Sequence, residues 1–272
     1  MSDDPLAPPL RVLTQNIRLA RPETRPGQAD HWPERAPVLQ AILRREDADV
    51  VGTQEVLAAQ IPVLDEVLAG THERLGMGRE GGSHGEHNLL YLRRDRLEIL
   101  AWDQFWLSEQ PRLIGSRGWD AHCERICVYA RVRDRASGAE LLLAVTHLDH
   151  AGQVAREQGA QLLAERLTAA ADGAPILLMG DFNAAAGIDR AWQVLIEAGF
   201  ADARDSAAEK TGADLGTFPD YGPAHEGGER IDWILTRGLD VESYTARLPE
   251  DGGRPASDHA TLTASVRPGA GA

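Results

Sequence analysis

Apolar and polar positions follow two rhythms along this chain. Leu10 to Ile17 (LRVLTQNI) alternates, which predicts a strand ending near Asn16. Val38, Leu39, Ile42 and Leu43 recur at helical spacing and predict an amphipathic helix over 34–46. A short buried strand at 48–51 and a helix over 58–68 follow. Strands are then expected at 89–92, 97–107, 125–132 and 141–147, separated by turn signals (Arg94-Asp95-Arg96, Ser137-Gly138) that suit antiparallel hairpins. A helix over 153–171 leads into the apolar run Ile176 to Met179, a buried strand. Beyond it come a helix over 189–198 and strands at 230–236, 241–248 and 260–266. Segments 20–33, rich in Pro and Gly, and 76–87, with five glycines and two histidines, read as loops, the second mobile. Residues 203–229 carry little periodicity, and a loop of that length is usually functional or disordered.

Strand–helix–strand units beside hairpins, in both halves, predict an α/β fold: two mixed sheets packed face to face with helices outside. One catalytic domain is expected over 10–267, with a loose Pro-rich tail at 1–9 and a frayed end at 268–272. Composition narrows the function little. Hydrophobic residues make up 43% and charged residues 26%, as in soluble globular proteins. The net charge of −14 disfavours a protein that coats nucleic acid, though a local basic cleft or a bound cation remains compatible with it. Cys123 and Cys127 are too few for a disulfide framework or a zinc site. Strand spacing places them on one face as buried thiols in a reducing compartment. No signal-peptide pattern and no apolar run near the ~18 residues of a membrane span are visible, so a cytoplasmic location is expected. Oligomeric state is left open.

The chemistry lies where apolar strands close on polar groups: Asn16, Glu55, Arg125, His147, Asp181, Asn183, Asp232, Asp258 and His259. After Met179 the chain reads Gly180-Asp181-Phe182-Asn183, and period-2 spacing points Asp181 and Asn183 the same way while the chain stays extended. Each residue has a bland reading as a turn, a cap, an ion pair or a satisfied core histidine. Nine such groups at the ends of buried strands are another matter, because ionisable groups are seldom buried without a partner or a metal. If the strand ends meet, hard oxygen ligands suit Mg²⁺ or Mn²⁺. Arg and protonated His beside a cation suit a phosphate, the inventory for metal-assisted phosphoester hydrolysis.

The stretches TQNIR (14–18), GTQEV (52–56), ERICVYARV (124–132), THLDH (146–150), MGDFNA (179–184), RIDWIL (230–235) and SDHA (257–260) resemble, in order, those of the endonuclease/exonuclease/phosphatase superfamily. FWLSEQP at 105–111, with Gly118-Trp119-Asp120, is similar to a bacterial subgroup described as metal-dependent hydrolases. The resemblance implies a four-layer, DNase I-like α/β sandwich. It implies a metal on Glu55, helped by Asn16 and Asp258, and water oriented or deprotonated by Asp181. It also implies phosphate held by Asn183, His147, His259 and Arg125, with Asp232 orienting His259. Repair nucleases of the family carry an acidic residue where this chain has Arg18, which puts their particular metal shell in doubt.

The expected function is therefore a divalent-metal-dependent phosphoesterase acting on a small phosphoester, a sugar phosphate or a phospholipid headgroup. A nuclease is the alternative, and a non-catalytic binding protein on the same fold the next. Gly81-Gly82-Ser83-His84-Gly85 fits a nucleophile elbow in letters but lacks the preceding strand and following helix. His147-Leu148-Asp149-His150 lacks the remaining ligands of a dinuclear zinc motif, so loop solvation is expected for Asp149 and His150. Trp102, Phe105 and Trp106 read as core rather than a base-stacking platform. His87 and Asn88 lie within reach of the site, and the 203–229 loop, with Tyr221 and His225, is expected to set substrate choice.

Overall fold

A computed structural model describes residues 7–269, so residues 1–6 of the expected tail and 270–272 of the expected frayed end lie outside the described residues. The chain begins with β1 (Leu10–Asn16), α1 (Trp32–Glu46), β2 (Val50–Val56), α2 (Ile61–Leu68), β3 (His72–Leu75) and β4 (His87–Arg93). It continues through β5 (Leu97–Trp106), β6 (Ile126–Asp134), β7 (Glu140–His147), α3 (Gln153–Ala171), β8 (Ile176–Asp181) and α4 (Arg190–Glu197). Next come β9 (Ala201–Asp202), α5 (Ala203–Ser206), β10 (Glu209–Thr211), β11 (Asp232–Arg237) and β12 (Leu239–Arg247). A small hairpin, β13 (Glu250–Asp251) and β14 (Arg254–Pro255), precedes β15 (Thr261–Pro268), so the last strand runs into the segment expected to fray.

The strands form a seven-stranded sheet, β10-β12-β15-β1-β2-β4-β3, and a six-stranded sheet, β5-β6-β7-β8-β11-β9. Both are mixed: β1 runs parallel to β2, and β7 parallel to β8, amid antiparallel neighbours. Three apolar layers join the parts. Val12, Val50, Val145 and Met179 lie in the layer between the sheets. Leu39, Ile42 and Leu64 of α1 and α2 cover the first sheet together with Leu13 and Tyr91. Leu163, Leu167 and Leu195 of α3 and α4 cover the second with Leu142 and Leu178. The result is a four-layer α/β sandwich of the DNase I-like kind. Gly52 lets the sheets approach closely: a Cβ there would lie 2.7 Å from the Met179 methyl. Among the described residues no helix is long and apolar enough to cross a membrane.

Most departures from the sequence reading have a physical cause. Strand β2 extends through Thr53 and Gln54, polar yet buried, because these residues sit between neighbouring strands rather than at a strand end. Segment 76–87 is a tight hairpin, with Gly78 bridged to His87 and Gly81 to His84. Ser83 sits exposed at its tip, with no nucleophile elbow. Phe105 and Trp106 are core, but Trp102 is 43% exposed, because it lies on the outermost strand of its sheet just past an irregularity in the β5–β6 pairing. Cys127 is buried, whereas Cys123 precedes β6 and is only half-buried, so the two do not share a strand face.

Candidate active site

The site forms where the two sheets' strands end together. On the second sheet, His147 of β7 pairs with Asp181 of β8, and Asp181 pairs with Asp232 of β11. Three titratable groups thus stand side by side across three adjacent strands. Gly180 makes the approach possible: its φ is +149° and an added Cβ would fall 2.0 Å from the Thr146 carbonyl oxygen. Asn183 is not on an extended strand. It adopts a left-handed φ of 47°, and its N–H donates to Asp181 Oδ1 at 2.9 Å, so the turn and the site occupy the same residues. On the first sheet, Asn16 ends β1, and Glu55 sits at a register break between Thr53 and Val56 with φ 61°. A long side chain held there in the left-handed region is the kind of strain that clusters at functional sites.

Asp181 is the hub. Its Oδ2 accepts from Asn16 Nδ2 at 3.0 Å and lies 3.3 Å from His147 Nε2 and 3.7 Å from His259 Nε2. Asn16 Nδ2 also donates to Glu55 Oε1 at 3.0 Å, and the Leu19 N–H donates to Glu55 Oε2 at 3.0 Å. Asn183 Nδ2 stands 3.0 Å from His147 Nε2. His259 Nδ1 lies 3.0 Å from Asp232 Oδ2, which leaves Nε2 facing Asp181. Asp258 is buried beside Ser257, and its Oδ2 is 3.5 Å from Arg18 Nε. Arg18, itself in the left-handed region, also lies within 3.9 Å of Glu55 and 3.4 Å of Asp30.

Burial sets the charges. Burial and the neighbouring Asp232 push the Asp181 carboxyl above the usual range, against the pull of His259 and two N–H donors. Burial also raises Asp258, with Glu55 adding to it. Burial alone would raise Glu55 too, but the Asn16 amide, the His259 charge and the Leu19 N–H hold it below its ordinary value. For His259, burial is outweighed by Asp232 and Asp181, which raise it to about 10, so it is a cation at neutral pH. His147 goes the other way: burial and the positive charges of Arg125 and His259 keep it neutral.

A cavity of about 580 Å³ opens onto these groups, lined by Glu55, Asp181, Asn183, His147, His259 and Asp258 and also by Arg125. Arg125 is held by Asp149, 3.5 Å from its Nε, and by His150 Nδ1, 3.0 Å from its Nη2. Asp149 is buried, not solvated, and accepts four backbone N–H groups, from His122, Cys123, Ala151 and Gly152. His150 lines the cavity. His87 and Asn88 do not reach it; they bond to the Val56 and Ile126 carbonyls. Tyr221 bonds to Asp30, and His225 is exposed, so the residue of the 203–229 loop that lines the cavity is Phe218, tilted against His259 at 4.8 Å.

Arg79, Glu86, His122 and Phe218 line the cavity without having been singled out in the sequence. Arg79 and Glu86 lie in a glycine-rich hairpin with no periodicity, and only the placement of a bulky Phe in a polar loop hinted at Phe218. Ligand atoms within 4.8 Å of one another occur in the groups Glu55–His147–Asp181, Asp181–Asp232–His259 and Cys123–Asp149–His150. The last is a poor cradle, because the lone pairs of Asp149 are spent on backbone donors and Arg125 stands beside it.

The fold agrees with that of related proteins. The Endonuclease/Exonuclease/phosphatase family model matches residues 13–259, and the chain belongs to that family. An endonuclease/exonuclease/phosphatase from Bacteroides vulgatus is 32% identical, with a TM-score of 0.88 over 95% of this chain and 98% of that one. The Bacteroides thetaiotaomicron mannosyl-6-phosphatase is 29% identical, with a TM-score of 0.85 over 95% of this chain and 99% of that one. Nocturnin of Drosophila melanogaster is 33% identical over 100 residues, which is 35% of this chain and only 14% of that protein.

Proposed function

We propose that the protein is a divalent-metal-dependent phosphoesterase that hydrolyses a small phosphoester, with a sugar phosphate as the favoured class. The observation that carries the reading is the convergence on Asp181 Oδ2 of Asn16 from one sheet and His147 from the other, with His259 close behind. The mannosyl-6-phosphatase likeness supports the choice of substrate class.

The donor set fits Mg²⁺ or Mn²⁺. Glu55, Asp181 and Asp258 offer hard oxygen atoms, while the Asn16 amide turns its Nδ2 to Glu55 and Asp181 and its Oδ1 accepts the Arg18 N–H. Burial raises the Asp181 and Asp258 carboxyls, with Asp232 and Glu55 adding to it, and a cation seated beside them would offset the cost of ionising both. Glu55 and Asp258 would hold the cation, with Asn16, expected as a third ligand, instead steadying Glu55 through its amide N–H. A cation there supplies Lewis-acid neutralisation of the phosphoryl oxygens.

The chain's own residues do the rest. Asp181, fixed by the Asn183 N–H and the Asn16 amide, orients water and takes its proton as the water attacks phosphorus in line; the opposite P–O bond breaks, and the departing alkoxide takes a proton from solvent. His259, cationic and steered by Asp232, donates from Nε2 to a phosphoryl oxygen. Asn183 and His147 hold the phosphoryl group, and Arg125, oriented by Asp149, balances its charge. The −14 net charge weighs against duplex nucleic acid as substrate.

The test is phosphate release from mannose 6-phosphate, and p-nitrophenol release from p-nitrophenyl phosphate and bis-p-nitrophenyl phosphate, with Mg²⁺ or Mn²⁺, repeated in EDTA. Release that EDTA abolishes is expected. Release that survives EDTA overturns the metal role, and no release from any of the three overturns the phosphoesterase reading.

A further inference from the structure

We propose that Arg79, Glu86 and Phe218 form a leaving-group subsite that selects a polyhydroxylated leaving group, as in a sugar phosphate. The proposal rests on the phosphoesterase reading for its orientation, with the phosphoryl group at Asp181 and His259.

Arg79 and Glu86 face one another across the 76–87 hairpin. Their guanidinium and carboxylate pair in fork geometry, with Nη1 to Oε2 at 2.9 Å and Nη2 to Oε1 at 2.8 Å. Each side chain is 15% exposed, and both line the same cavity as Asp181 and His259. The pair is neutral as a unit, so it offers a ligand no net charge with which to hold a second phosphate. It still offers spare carboxylate lone pairs and guanidinium N–H groups, a mixed acceptor and donor edge that matches adjacent hydroxyls. Phe218 adds an apolar face, 48% exposed, against the His259 ring. An aromatic face beside a few fixed polar groups is the usual make-up of a small-molecule pocket.

The subsite is held in place before any ligand arrives. The Arg79 N–H donates to the Glu86 carbonyl at 2.9 Å, and the Trp106 indole donates to the Arg79 carbonyl at 2.6 Å. The Met77 N–H donates to Gln104 Oε1 at 2.8 Å, which ties the hairpin to β5. The pocket so built rewards hydroxyls that complete its hydrogen bonds and penalises ligands that leave the pair desolvated and unanswered.

The bland alternative is that the ion pair merely clamps the hairpin. Comparing mannose 6-phosphate with methyl phosphate, which has no polyol, separates the two. Glu86→Gln keeps the shape and should raise KM for mannose 6-phosphate about ten-fold or more, with kcat changed far less. The selectivity ratio, kcat/KM for mannose 6-phosphate over that for methyl phosphate, should fall by the same factor. Phe218→Ala removes an exposed side chain and should lower that ratio several-fold. If both variants lose activity on both substrates in proportion, the pair is a clamp and the subsite is overturned.

Calorimetric binding of the two phosphates reads the subsite without turnover. Wild-type protein that turns over both phosphates but binds them equally overturns the subsite and leaves the phosphoesterase reading standing. Preferential binding of mannose 6-phosphate, lost in Glu86→Gln, by a protein that hydrolyses no phosphoester overturns that reading and the leaving-group role with it, and supports only recognition of the polyol by the pair.

Discussion

Asp181 meets conflicting demands. It is 1% exposed, shares its strand row with Asp232 and His147, and has its carboxyl pushed upward by burial. Replacing it with Asn keeps the shape, removes the base and relieves a buried charge. Asp181→Asn should lower kcat by about 10²- to 10⁴-fold. Its thermal midpoint in EDTA should equal or exceed that of the parent protein; a clear fall would mean the carboxylate is structural. His259 owes its raised value of about 10 first to Asp232, which overcomes the effect of burial. In Asp232→Asn the imidazole titration, followed by NMR in EDTA, should move to lower pH, and an unmoved titration would remove Asp232 from that role. These residues were legible in the sequence because each closes an apolar run, where a carboxylate or imidazole has no reason to be unless something meets it. Arg79 and Glu86 carried no such signal, since charged residues in a glycine-rich turn look the same whether they face solvent or a cavity. Phe218 shows the converse: a loop without periodicity still delivered one aromatic side chain to the site, and Tyr221, which looked equally eligible, went to Asp30 instead.

At the scale of elements, the join between β7 and α3 carries an unusual amount of order. Asp149 gathers N–H groups from 122–123 on one side and 151–152 on the other, and it also steadies Arg125. Burial alone would raise its carboxyl, but those four donors hold it well below the usual carboxylate range. A group depressed in this way stabilises the fold fully above its unfolded value, near ~3.9, and loses that contribution as pH falls below it toward the folded value. Asp149→Asn should cost about 2 kcal/mol at neutral pH. The gap in stability between the variant and its parent should narrow as pH drops below about 4. Urea melts at several pH values measure this, and a gap that stays constant with pH would show that the carboxylate charge is not what binds the segments. No pattern of residues signals this tie. His147-Leu148-Asp149-His150 reads as a solvated loop because two of the four donors, His122 and Cys123, come from a segment distant in the chain, which no periodicity records. The long elements were legible: α3 falls on 153–171 as its spacing predicts. The two-residue strands β9, β13 and β14 were not, being too short to display a period.

At the scale of the whole molecule, the two sheets meet at their polar ends with more carboxylate than cation. Asn16 and Glu55 come from one sheet, His147, Asp181 and Asp232 from the other, and His259 from the turn before β15. Apolar contacts among Val12, Val145 and Met179 hold the sheets together. A divalent ion seated between Glu55 and its neighbours should therefore stabilise the sandwich as a unit. At a hundred-fold excess over its Kd the expected gain is about 2.7 kcal/mol, a rise of several degrees in Tm. Glu55→Gln should remove most of that rise, because the carboxylate that its surroundings keep ionised is gone. Differential scanning calorimetry in EDTA, then in millimolar MgCl₂ or MnCl₂, measures both effects. A Tm that does not respond to either ion, or a response that Glu55→Gln leaves intact, would place any cation elsewhere and leave Asp181 to act without one.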